Sequence, residues 1–455
     1  MKVMKFGGAS LKDKSTFLST AGIITRDPQD KIVVLSAVYQ MTNTLEQLIN
    51  DAKKNETLIR KGIDRIKTTH HIIASQCIEN LEILGQTIQN IDDKIQKLER
   101  LLYGIAYTEE ITKKIYALIM SFGERLAVIV MAGVLESIGF KSVYLESDKI
   151  GVISDDSFDN ATAILPLVQK NLLKNVVPLI KEGYIPLVTG FFGVNQKGQV
   201  TLFGRNSSDY TAAVIAHGVK AKVLEIWKDV DGFMSADPKL VDKAYLIDKL
   251  SYYEAAELSY FGAKILHPRT VEPLIPESIP MVIKNLLHPD NSGTEIGPTT
   301  YQKESIIKSV TYNKNISVLK IQGAGVGYKP GVISEIGAIL ADSGINIYSI
   351  ITSQTCINLL IDHKDADMST QILQNLGDGI IDSIDHRDDE LVVAVVGAGI
   401  DRTPGLAAKV FNAVARENIN IEMISSGASD VATYFIVKES SLKTVVNAIH
   451  QEFFQ

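Results

Sequence analysis

The sequence predicts an α/β fold class: a domain built on a mostly parallel sheet, followed by two smaller α+β units of ferredoxin-like βαββαβ order. Three observations carry this. The first ten residues, MKVMKFGGAS, run from an apolar strand into a double glycine, with Ser10 placed to cap a following helix. Residues 31–37, KIVVLSA, are almost continuously apolar, as in a strand covered on both faces. Beyond residue 305 one order of strand and helix signals occurs twice.

In chain order, Gly7-Gly8 lets the backbone bring bare N–H groups up to an anion, and the next helix aims its positive end at the same point. Lys5 stands at the rim of this cradle. On local signals alone the stretch is equally a buried first strand entering an ordinary turn. A helix is expected from about Leu11 to Thr25. The strand at 31–37 ends in a hydroxyl-bearing loop, Ser36 to Asn43, on the sheet edge where open α/β sheets bind ligands.

Residues 44–139 read as helical. Cys77, Leu81, Leu84, Ile88, Ile91, Ile95, Leu98 and Leu102 recur at spacings of four and three, giving one apolar helix face, with a break expected near Gly85. Packing onto the sheet suits so short a stripe better than a two-chain coiled coil. Ser121-Phe122-Gly123-Glu124-Arg125 opens a new helix and places Glu124 in its first turn.

Further strands are expected at 142–146, 185–189, 223–227 and 280–284, with a hairpin after Gly190-Phe191-Phe192-Gly193. Gly204-Arg205-Asn206-Ser207-Ser208-Asp209 is a second polar turn feeding a helix, now carrying a guanidinium and a carboxylate. Lys228-Asp229-Val230-Asp231-Gly232 follows the strand at 223–227, Asp237-Pro238-Lys239 comes soon after, and a helix at 252–261 leads to Ala263-Lys264-Ile265-Leu266-His267-Pro268. The first domain is placed at 1–288 and a linker with Pro289, Gly293, Gly297 and Pro298 at 289–304.

In the repeat, Val318 to Gly323, Pro330-Gly331, Val332 to Asp342 and Ile350 to Ser353 match Leu391 to Gly397, Pro404-Gly405, Leu406 to Arg416 and Ile424 to Gly427. The second unit lacks a clear fourth strand, while Ile306 to Tyr312 is a spare strand before the first. The first unit, 316–389, is therefore expected to be inserted into the second, 305–315 plus 390–455.

Length and composition bound the function. A chain of 455 residues suggests two to four domains, and 45% hydrophobic with 22% charged residues is ordinary for a globular protein. A net charge of -7 without a basic cluster argues against nucleic acid or an anionic membrane as partner. The longest apolar stretch, near Leu126 to Leu135, is expected to fall short of a membrane span, and no signal peptide is apparent. Cys77 and Cys356 have no metal-ligand spacing, and no metal site is expected in the chain itself. These points fit a cytoplasmic location.

With these pieces placed, the sequence resembles the monofunctional aspartate kinases, an amino acid kinase domain of three-layer αβα build followed by two ACT domains. The resemblance covers essentially the whole chain. It rests on Lys5-Phe6-Gly7-Gly8, Ser36 with Thr42, Gly204-Arg205 with Ser208-Asp209, Asp229-Val230-Asp231-Gly232 with Asp237-Pro238, and Ala263 to Pro268. It implies transfer of the ATP γ-phosphoryl group to the side-chain carboxylate of L-aspartate, with Mg²⁺ on the nucleotide, in lysine, threonine and methionine biosynthesis. Lys5 then meets the transferring group, Gly7 and Gly8 cradle its oxygens, and Asp209 holds Lys5. Arg205 takes the substrate α-carboxylate, Glu124 its α-ammonium, and Ser36, Thr42 and Ser208 give hydroxyl contacts. Asp229, Lys239 and Lys264 fall on the nucleotide side.

The resemblance also implies homo-oligomers joined through the ACT domains and feedback by lysine or threonine. A free amino acid's carboxylate suits the N–H groups near Gly331 and Val332, with Tyr348, Ser353 and Gln354 close by. Asn358 is a further polar candidate. Since the chain stops at Gln455 after the second ACT unit, no fused homoserine dehydrogenase is expected. The sequence departs from the family pattern at Ala9, usually Thr or Ser, at Lys228, usually Thr, at Lys239, usually Arg, and at Asn206-Ser207, usually glycines. Tyr348 stands where lysine-sensitive relatives tend to carry an acidic residue. Two other readings stay open: a kinase of the same fold acting on another small acid, and an amino-acid sensor with a decayed kinase domain.

Overall fold

Strand alternation in the first residues sets the layers of the first domain. In the computed structural model, which describes residues 1–263, 265–298, 306–374, 376 and 381–454, β1 (Lys2–Phe6) is buried along its whole length. Met4 and Phe6 share one face and Val3 and Lys5 the other. The chain divides into two compact units, the first made of Met1–Phe233, Asp248–Ala256 and Ile265–Thr299.

The first unit continues with β2 (Lys31–Leu35), β3 (Ser142–Leu145), β4 (Ile153–Ser154), β5 (Ile185–Thr189), β6 (Phe192–Asn195), β7 (Val200–Leu202), β8 (Leu224–Lys228), β9 (Lys249–Ser251), β10 (Met281–Asn285) and β11 (Thr294–Gly297). Its main sheet has the order β3-β5-β2-β1-β8-β10-β11-β9. From β3 to β10 the neighbours are parallel, and β11 turns antiparallel to β10. The helices are α1 (Lys14–Arg26), α2 (Met41–Ala52), α3 (Glu56–Cys77), α4 (Leu81–Thr108), α5 (Lys113–Met120), α6 (Phe122–Ser137), α7 (Ser147–Ile150), α8 (Leu165–Asn175), α9 (Val177–Lys181) and α10 (Ser208–Gly218), with α11 (Tyr252–Tyr260) belonging to this unit only as far as Ala256. Met4, Phe6, Val33, Leu35 and Leu187 join one core with α1 to α6. The face carrying Lys5 receives α10, whose Asp209 meets that lysine.

Four local expectations need correction. Ser10 caps nothing; Gly8–Leu11 is a short 3-10 turn, and Asp13 caps α1 by accepting from the Thr16 N–H. The helical break lies at residues 78–80 rather than at Gly85, which sits inside α4, because the Asn80 side chain caps α4 by accepting from Glu82 and Ile83. Leu81 is therefore exposed, and the buried stripe runs through Thr87, Ile91, Ile95, Leu98, Leu102 and Ile105. Thr294–Gly297, inside the stretch read as linker, is a strand of the main sheet. Finally, among the described residues one helical stretch, Lys113–Ser137, made of α5 and α6, is long and apolar enough to cross a membrane, yet 94% of its apolar window is buried inside the protein.

In the second unit, the strands are β12 (Ser309–Asn313), β13 (Ile316–Gln322), β14 (Ile347–Thr352), β15 (Cys356–Asp362), β16 (Ser383–Arg387), β17 (Glu390–Val396), β18 (Met423–Ser425) and β19 (Ala432–Lys438). They form two four-stranded antiparallel sheets, β14-β15-β13-β16 and β12-β17-β19-β18. The strand that precedes the first repeat thus pairs with the second, Ser309 opposite Val396. The equivalent helices α12 (Val332–Asp342) and α14 (Leu406–Arg416) each begin after a left-handed glycine, Gly331 at φ 95° and Gly405 at φ 80°. α13 (Ala366–Leu373) and α15 (Leu442–Phe454) complete the two layers.

Candidate active site

Parallel pairing brings three strand ends together. β1 lies between β2 and β8, with Phe6 opposite Leu35 on one side and Trp227 on the other. Gly7-Gly8, Ser36-Ala37 and Lys228 therefore share the C-terminal edge of the sheet, at the point where the strand order reverses. The Ser36 N–H donates to the Phe6 carbonyl at 3.1 Å and fixes the two loops together.

Lys5 is the centre of this edge. Its ammonium lies 2.6 Å from Asp209 Oδ1, and the two side chains are 6% and 3% exposed. Lys228 reaches the other oxygen of the same carboxylate, Nζ to Oδ2, at 3.0 Å. Burial pushes the Asp209 carboxyl up, but the charges of Lys228 and then Lys5 outweigh it and hold Asp209 well below the usual carboxylate range. Burial draws Lys5 below an ordinary lysine despite Asp209. A methyl group on Gly7 would lie 3.5 Å from the Lys5 nitrogen.

Glu124, in the first turn of α6, is buried. Its Oε1 accepts from the Ala37 N–H at 3.1 Å, and its Oε2 is buried without a hydrogen-bond partner. Burial pushes its carboxyl up to about 8, against the Ala37 N–H, its own backbone N–H and the charges of Lys5 and Arg125. Arg205 sits elsewhere on the rim, exposed between left-handed Gly204 and Asn206, with NH2 donating to Asn43 Oδ1 and Glu46 Oε2, both at 3.1 Å. Thr42 and Glu46 belong to α2, and Ser208 is the first residue of α10.

The structure thus brings Lys5, Gly7, Gly8, Ser36, Glu124, Ser208 and Asp209 to one sheet edge. Asp229 follows Lys228 there and is exposed. Asp231 accepts from Asn285 at 2.9 Å and Asn291 at 3.1 Å, which serves its own turn. Lys239 is an exposed residue of the second unit, where its N–H donates to Asp237 Oδ1 at 2.9 Å. Lys264 lies outside the described residues. Two residues that the sequence did not mark as parts of the site emerge: Lys228, noted only as a departure, and Glu46, whose position four residues after Thr42 on α2 is its only signal.

In the second unit Val332 is a core residue. The Tyr348 ring packs on Tyr260 at 5.2 Å, and its carbonyl accepts from the Tyr260 hydroxyl at 3.2 Å. The Ser353-Gln354 turn closes against Gly327, whose N–H donates to the Gln354 carbonyl at 3.2 Å. Ser353 and Gln354 are exposed.

Residues 1–285 match the amino acid kinase family, and residues 311–375 and 393–453 each match an ACT domain. Aspartokinase 1, chloroplastic, of Arabidopsis thaliana is 30% identical over 469 residues, covering 100% of this chain and 80% of its own length. The bifunctional aspartokinase/homoserine dehydrogenase of Haemophilus influenzae is 31% identical over all of this chain, which spans 56% of that protein. Among solved structures, E. coli aspartokinase III in complex with aspartate and ADP (R-state) superposes with a TM-score of 0.86 at 26% identity, and in complex with lysine and aspartate (T-state) with 0.83, each covering both chains entirely.

Proposed function

The chain belongs to the amino acid kinase family, as an aspartokinase-type kinase carrying two ACT domains, and from that premise we propose that it transfers the γ-phosphoryl group of ATP to the side-chain carboxylate of L-aspartate under lysine control. The observation that carries this is the buried Lys5–Asp209 pair at a glycine-bordered sheet edge. Two anions must meet there, and little covalent help is needed once they are placed and neutralised. Lys5 and the N–H groups of Gly7 and Gly8 receive the phosphoryl oxygens. Asp209 keeps the lysine charged and aimed.

Glu124 Oε2 takes the α-ammonium of aspartate, and Arg205 exchanges Glu46 for the α-carboxylate, for which a guanidinium fork is suited. Ser36, Thr42 and Ser208 supply hydroxyls, and Asp229 serves the nucleotide. Among the described residues no three His, Cys, Asp or Glu side chains are grouped to hold a metal. Mg²⁺ would ride on the nucleotide phosphates and neutralise part of their charge, with Asp229, next to Lys228, the carboxylate that would hold it.

The catalytic domain is assigned to residues 1–288, and the regulatory pair to 316–389 and to 305–315 plus 390–455. The lysine bound by the T-state neighbour supports lysine as effector, received at the Gly331 helix start beside Tyr348, Ser353 and Gln354. Threonine is the competing effector. Association of like subunits through the ACT domains and a place in the cytoplasm complete the reading. One assay tests it: ADP release with aspartate or glutamate, hydroxylamine to trap the acyl phosphate, and added lysine or threonine. Aspartate-dependent hydroxamate that lysine suppresses is the expected result. A preference for glutamate, or no acid-dependent ADP, would overturn the assignment.

A further inference from the structure

Lys228 stands where the family pattern has Thr, and strand geometry decides where its ammonium goes. β8 pairs in parallel with β1, Lys5 opposite Ile226 and Phe6 opposite Trp227. Alternation then puts Lys228 on the face of Lys5, while Trp227 stacks on Phe6 across the sheet, ring centroids 5.9 Å apart. α10 covers the Lys5 face and offers one carboxylate in its first turn. The two ammoniums converge on it, Lys5 at 2.6 Å from one oxygen and Lys228 at 3.0 Å from the other.

Two lysines on one carboxylate leave an excess positive charge beside Gly7-Gly8. Anchoring Asp209 needs only one of them, and the second adds repulsion: after burial and Asp209, Lys228 is the next influence on Lys5 and lowers its proton affinity further. Glu124 opposes this from α6, and His267 is close enough to Asp209 and Lys228 to respond to both. The excess charge is unexplained by folding but suited to a polyanionic ligand. Lys228 is also the open member of the trio, its side chain 20% exposed against 6% for Lys5 and 3% for Asp209.

We infer that Lys228 is a second phosphoryl-binding cation, donating to the oxygen that leaves with ADP while Lys5 holds the transferring group. This rests on the aspartate kinase reading. In the step, a carboxylate oxygen–phosphorus bond forms as the bond between the γ-phosphorus and the bridging oxygen breaks. The electron pair stays on that oxygen and departs with ADP; no proton moves, and Lys228 meets the charge as it develops.

The test compares Lys228→Met, which keeps length but not charge, Lys228→Arg, which keeps charge, and Lys228→Thr. Steady-state kinetics with aspartate and ATP are measured beside melting temperature and the affinity for a non-hydrolysable ATP analogue. The expected result is a kcat about a hundredfold lower in the Met and Thr variants, a KM for aspartate within about twofold of the parent, and recovery of at least about a tenth of the parental kcat by Arg. A kcat within about threefold of the parent in either uncharged variant, or an Arg variant no better than Met, overturns the inference. If Met does not fold, Thr and Arg decide it by the same criteria. If the parent itself releases no aspartate-dependent ADP, the activity reading has failed, and the analogue decides Lys228 separately: binding weakened about tenfold or more supports the role, and unchanged binding ends it.

Discussion

The Lys5 ammonium and the Asp209 carboxylate meet at 2.6 Å, one from the first strand and the other from the first turn of α10, nearly sealed from solvent. Burying such a pair adds little to stability, but removing one partner strands the other as an uncompensated charge. Lys5→Ala should lose at least about a hundredfold in kcat, the usual consequence of removing one preorganised donor. Asp209→Ala should also lower the melting temperature, because it leaves the ammoniums of Lys5 and Lys228 facing each other. ADP release and thermal denaturation check both, and near-normal turnover by Lys5→Ala would refute its role.

Glu124 makes a prediction about protons. Burial pushes its carboxyl up to about 8, so in the empty site it is mostly protonated at neutral pH. An arriving α-ammonium favours the charged form, so aspartate binding should expel the proton. Calorimetry near neutral pH, in buffers of different ionisation enthalpy, should show release approaching one proton per aspartate, vanishing well above pH 8. Binding heats that do not depend on the buffer would exclude Glu124 as the ammonium's partner.

Much of this architecture was legible in the sequence because its signals are local. The apolar run before Gly7-Gly8 and the polar turn before Asp209 announce strand ends and helix starts within a few residues. The four-residue β11 escaped because Gly293 and Pro298 bracket it like a linker, and only pairing with β10 and β9 makes it a strand. The start of α4 was misplaced although Asn80 is a cap residue, since the apolar spacing runs through the break unchanged. Lys228 was visible only as a departure from a pattern. Its partner Asp209 is supplied by a different helix, and no spacing rule links the two.

Arg205 is held by Glu46 at 3.1 Å, but the guanidinium is 68% exposed, and such pairs contribute at most about 1 kcal/mol. Exchanging Glu46 for a substrate carboxylate therefore costs little. Glu46→Gln should shift the KM for aspartate by no more than about fivefold. Arg205→Lys, which keeps the charge and loses the fork, should raise that KM about tenfold or more with a smaller change in kcat. Steady-state kinetics separate the two, and a fall in kcat with KM unchanged in Arg205→Lys would remove Arg205 from ground-state binding of aspartate.

His70 should make the first unit acid-sensitive. Its ring is buried in α3; the Ile66 carbonyl at 2.8 Å can only accept, so Nδ1 carries the proton and the partnerless Nε2 is the site that would charge. Burial, opposed by the Ile66 hydrogen bond and assisted by the charge of His71, lowers its pKa from 6.5 to about 4. The unfolded chain therefore binds the extra proton first as pH falls, and the neutral ring's contribution is intact above pH 6.5 and lost on descending toward 4, a change of about 3 kcal/mol. His70→Leu has no such proton to bind, and it also removes a buried acceptor without a partner, which costs about 1 to 3 kcal/mol where it stands. Urea denaturation across that pH range should show the variant gaining on the parent as pH falls. Parallel stability curves for the two would mean that the ring reaches water before the fold gives way.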